Sequence, residues 1–164
     1  MLYAYVSVLA TGRDAKSIPF QVGVSINGKH KTWTVCPSKL NRHVSDGEWP
    51  SSMDPDELGH EVSADAVWQM GLSCKDAASD ITSFVWEAQQ DARAEEPPVI
   101  IARNPYLESV WLRAIFAEAN VDFPFYEVPR GPVVHGDWPD PDGTHEDAGT
   151  RAYSLEQFCE HISL

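Results

Sequence analysis

The chain has 164 residues, 43% of them apolar and 23% charged, with 25 acids against 12 lysines and arginines and a formal net charge of −13. That size and apolar share suit one domain with a real core, and the acid surplus argues against a protein held to a phosphate backbone by simple basic stripes. No run approaches membrane-spanning length and the N-terminus lacks a basic, then apolar, leader, so a cytoplasmic protein with no membrane partner is expected.

Leu2 to Ala10 reads as a first strand, rich in Tyr and Val, closed by the turn Thr11-Gly12-Arg13-Asp14. Phe20 to Ile26 alternates as a second strand, and Asn27-Gly28 is a strong hairpin signal leading to a third, Lys31 to Cys36. Pro37 to Glu61 is irregular. Ser63 to Met70 predicts a short helix, and Ser73 with Asp76 a capped start for a longer one through Ile81, Phe84, Val85 and Ala88. Val99 to Ala102 is a short buried strand, followed by a sharp turn at Arg103-Asn104-Pro105. Asn104 suits the N-cap and Pro105 the first helical position, where no N–H is needed. Leu107, Val110, Trp111, Ala114 and Ile115 then repeat as one apolar face, with Glu108 beside it. Val133-Val134 suggests a last strand, Trp138 to Gly149 an acidic Pro/Gly loop, and Ser154 to Ile162 a final helix. The order predicts an α/β fold with a mixed sheet. Cys36, Cys74 and Cys159 are odd in number and widely spaced, which reads as reduced thiols rather than a disulfide or zinc framework.

Several segments resemble the DnaQ-like (DEDDh) 3′–5′ exonucleases. In that family an Ala-His-Asn strand end leads into a helix bearing a metal-binding Asp; here Ala102-Arg103-Asn104 precedes Glu108. Tyr5 to Gly12 is similar to the first motif, an apolar strand carrying Asp-x-Glu before Thr-Thr-Gly. Ile18 to Val24, His60 to Ser63 and Arg151 to Cys159 resemble three further segments in the same order. The resemblance implies an RNase H-like mixed sheet flanked by helices, one domain over residues 1–164. It also implies that Thr11, Gly12, His60 and Arg103 would be the contacts to a nucleic acid or other anion.

The departures bear on chemistry. Two-metal hydrolysis needs several carboxylates to hold two cations about 4 Å apart. The first-motif acid positions hold Ser7 and Leu9, which are no ligands for Mg²⁺. Asn104 and Glu108 remain at the second motif, with Glu108 the one candidate metal ligand. The third motif, a His with an Asp five residues on, is absent before Leu164, and His145 is followed at that spacing by Thr150. No cofactor is expected; Mg²⁺ or Mn²⁺ enters only if ligands have been rearranged.

Each candidate has a plainer reading beside the functional one. Glu108 is either a retained ligand or an acid favoured by its helix dipole. Arg103 either binds an anion or pairs with Glu108. His135, Asp137, His145, Glu146 and Asp147 either gather round a cation or lie in a solvated loop, and Asp14 and Asp147 are the places to which lost ligands would have migrated. Trp33, Trp49 and Trp68 could stack bases, whereas Trp86 and Trp111 read as packing. The resulting expectation is a pseudo-nuclease that binds a protein partner or itself. The alternatives are an active metal-dependent 3′–5′ exonuclease and an acidic mimic of nucleic acid that blocks a basic protein. An early chain end predicts a bare strip of sheet around the first strand, covered by a second copy or another protein.

Overall fold

The computed structural model describes residues 1–40, 64–131 and 147–162. Strands β1 (Tyr3–Ala10), β2 (Pro19–Ile26), β3 (Lys29–Thr34) and β4 (Val99–Ile101) form one sheet in the order β3-β2-β1-β4. β1 and β2 pair antiparallel, as do β2 and β3, while β4 runs parallel to β1. Asn27 and Gly28 both have positive φ, 50° and 81°, the backbone that a two-residue hairpin requires and that these residue types tolerate. The third strand starts and stops two residues earlier than its sequence predicts. Beyond Thr34, Val35 bridges Leu72 instead.

Alternation along β1 divides the core between two faces. Ala4, Val6, Val8 and Ala10 join Val22, Val24, Ile26, Trp33 and Ile100 under two helices, α2 (Cys74–Ala92) and α3 (Pro105–Ala119). Ser73 caps α2, its hydroxyl accepting the Asp76 N–H at 3.1 Å. The buried stripe of α2 is Cys74, Ala77, Ala78, Ile81 and Val85. Trp86 lies just past that stripe and is 60% exposed, so the packing role expected of it is not met. Trp111 does pack, and its indole N–H donates to the Asp14 carbonyl at 2.9 Å, pinning the β1–β2 connection.

On the second face lie Tyr3, Tyr5, Ser7 and Leu9, covered by α1 (Ala64–Met70) and α4 (Ala148–Ile162). Tyr5 packs with Leu155 and Cys159, and Leu9 with Phe20, Leu40, Val67 and Ala148. The predicted bare strip around the first strand is therefore absent: the chain's own last helix covers it. The loop expected to run to Gly149 ends at Asp147, and α4 begins six residues before the predicted Ser154. The cause is a cap, since Asp147 Oδ1 accepts the Thr150 N–H at 2.7 Å and the Thr32 hydroxyl at 3.0 Å. The predicted Val133-Val134 strand lies outside the described residues; just before it, Arg130 bridges Ile101.

The first turn of α4 sits against the sheet at glycine distance. A Cβ on Gly23 would fall 1.9 Å from the Ala148 carbonyl oxygen, and one on Gly149 would fall 2.1 Å from Thr32 Oγ1. The Ala148 N–H donates to Gln21 Oε1 at 3.0 Å. Farther along, the buried Glu156 accepts the Ser25 hydroxyl and, at 2.9 Å, the Gly28 N–H. All three cysteines are free, and burial pushes each thiol up, Cys159 to about 11.

Two outcomes follow from this seating. Gly23→Ala should lose about 1–3 kcal/mol in urea denaturation, because the added methyl must displace helix backbone; a variant as stable as the parent would show that α4 does not sit there. Asp147→Ala should cost about 1 kcal/mol at neutral pH. Partial burial raises the Asp147 pKa, but hydrogen bonds from Thr150 and Thr32 and the nearby His30 outweigh it, leaving it below the ordinary 3.8. The stability this acid adds is thus fully present above that value and lost as pH falls through the folded-state pKa, so the gap between parent and variant should close in acid.

Candidate functional site

The turn Arg103-Asn104-Pro105 lies at the carboxyl ends of β1 and β4, the edge where ligands bind in open α/β sheets. β4 is short: its last residue, Ile101, pairs with Tyr5, and β1 runs on without that neighbour. The N–H of Val8 consequently points past the end of β4. Glu108 Oε1 accepts it at 3.1 Å. The other oxygen, Oε2, accepts the Asn104 N–H at 3.1 Å, and Asn104 Oδ1 accepts the Leu107 N–H at 3.4 Å. Asn104 thus caps α3, with a reciprocal bond from a glutamate one position later than in the usual capping box.

Glu108 is 8% exposed. The buried residues of α3 are Glu108, Ser109, Trp111, Leu112, Ile115 and Phe116, whereas Leu107 and Val110 are half-buried and Ala114 is exposed. The apolar face is rotated from its predicted position because α3 packs on both the sheet and α2, and the acid expected beside the face lies within it. Burial raises the Glu108 pKa above its ordinary 4.5, against the N–H donors of Asn104 and Val8 and the charges of Arg151 and Arg103. Arg151, on the first turns of α4, was not among the candidates from sequence. No local signal marks it, since only the packing of α4 across the sheet brings it towards Glu108.

Ser7 and Leu9, which the resemblance sets at the first-motif acid positions, are both buried beneath α4. Ser7 pairs with Gly23, the residue against Ala148, and Leu9 shares an apolar cluster with Ala148. Thr11 closes the β1–β2 connection, its Oγ1 accepting the Ile18 N–H at 2.9 Å, and a Cβ on Gly12 would meet Ser17 Oγ at 2.5 Å. Asp14 is occupied locally, Oδ1 accepting the Lys16 N–H at 2.9 Å and the Ser17 hydroxyl at 3.2 Å. Arg103 is exposed on the turn before α3. His60, His135, Asp137, His145, Glu146 and Trp49 lie outside the described residues.

Among the described residues no three His, Cys, Asp or Glu side chains converge as a metal-binding group. One carboxylate with two basic neighbours can hold a helix and a strand together, and nothing described beside it would bridge a pair of cations. Of the tryptophans proposed for base stacking, Trp33 is 2% exposed and donates to Asp80, whereas Trp68 is 46% exposed on α1, away from the turn in sequence.

No protein-family profile matches the chain, and no curated protein sequence is significantly similar to it. Solved structures do match. E. coli exonuclease I in complex with a dT13 oligonucleotide superposes with a TM-score of 0.50 at 14% identity, over 74% of this chain and 24% of that one. The exonuclease I/SSB-Ct complex gives 0.51 at 15% identity, over 74% of this chain and 25% of that one. The chain thus spans about a quarter of those proteins, and at this identity the likeness is one of fold. The fold is α/β, a mixed sheet flanked by helices as in the RNase H-like exonucleases.

Glu108→Gln should cost about 1–3 kcal/mol in urea, since an amide NH₂ would be turned towards one of two buried N–H donors. Because the acid's folded-state pKa is raised, its contribution is fully present below 4.5 and falls as pH rises through that folded-state value. The deficit of the Gln variant should therefore be largest in acid and shrink towards neutrality. Equal stability of parent and variant throughout the range from acid to neutral pH would show that the two bonds do not form.

Proposed function

We propose that this chain is an exonuclease-fold domain that no longer performs two-metal hydrolysis and works by binding protein. What carries the reading is the disposition of Glu108, the one family acid that remains at a matched position. Each of its oxygens accepts a backbone N–H, and its side chain is buried. A working metal site needs carboxylates open to hydrated cations, several of them together. The first-motif positions are filled by Ser7 and Leu9 and roofed by α4, which supports the same reading. Trp68, Met70 and Leu72, exposed by 46%, 67% and 36% at the junction of α1 and α2, offer apolar surface for a protein partner or a second copy.

The rival reading is an active metal-dependent 3′–5′ exonuclease, favoured by the fold it shares with exonuclease I, one of whose structures is a complex with ssDNA. One assay separates the two. The purified chain, with Mg²⁺ or Mn²⁺ and a labelled single-stranded oligonucleotide, should trim no faster than Glu108→Ala, both proteins being shown folded by near-UV circular dichroism. Metal-dependent shortening from the 3′ end that disappears in Glu108→Ala would overturn the proposal and establish the rival.

A further inference from the structure

We draw no further inference here: the strongest candidate, the groove of about 680 Å³ at the amino ends of β1 and β4, sets Arg93 and Arg130 against Glu95 and Glu96 over Leu2 and Tyr126, so nothing in it selects a ligand of one charge or chemistry.

Discussion

The carboxylate of Glu108 fills a gap that the sheet itself creates. β4 is three residues long and stops beside Tyr5, yet β1 continues to Ala10. A backbone N–H left beyond that point, inside the fold, would cost about 1–3 kcal/mol if nothing accepted it. Glu108 accepts the Val8 N–H and so extends the ladder with a side chain. Its second oxygen holds the Asn104 N–H, which fixes the angle at which the chain turns from β4 into α3. The same residue therefore sets where α3 begins and how it meets β1. Leu112, Ile115 and Phe116 then pack into the core that the sheet shares with α2.

The opposite face depends on a different constraint, the closeness of α4. Helix backbone meets sheet backbone at Gly23, where any side chain on the strand would collide with Ala148. Contact at that distance needs polar groups to be matched on both sides, and they are. Gln21 accepts from Ala148, Thr32 bonds Asp147 and Gly149, and Glu156 accepts from Ser25 and Gly28. These bonds spread over both strands of the hairpin, so α4 is fixed in register as well as in distance. Both oxygens of the buried Glu156 are thus held, one by the Ser25 hydroxyl and one by the Gly28 N–H. Two acids, Glu108 and Glu156, thus serve the two faces in the same chemical way.

Much of this was legible in the sequence. The strand alternation, the Asn27-Gly28 turn and the caps at Ser73 and Asn104 are local signals with local causes, and the structure contains each of them. Glu108 was visible as a residue of interest, but its burial was not, because periodicity alone places an acid beside an apolar stripe rather than within it. The start of α4 was hidden by composition: an acidic Pro/Gly run reads as loop until Thr32, distant in sequence, shows that Asp147 is a cap. Gly23 offered a fair hint, a glycine amid Val22 and Val24 in a buried strand, where loss of a side chain signals close approach of another backbone. The covered face was missed because the reach of the last helix depends on how it crosses the sheet, and no single segment encodes that angle.

On the proposed reading, the loss of metals and the packing of the old cleft are coupled by electrostatics. Carboxylates clustered around two cations repel one another once the cations are gone, and burying them unpaired is costly. A chain relieved of catalysis can settle such a cluster in two ways, by replacing acids with groups that pack or by giving the remaining acid donors. On the proposed reading this chain shows both. Leu9 belongs to an apolar cluster with Phe20, Val67 and Ala148, and Glu108 has two N–H donors with Arg103 and Arg151 close enough to favour its charge. An acid at position 9 would place a charge among those apolar neighbours. On that reading, the surface left for binding is apolar area on the helices, such as Trp68 and Met70 on α1.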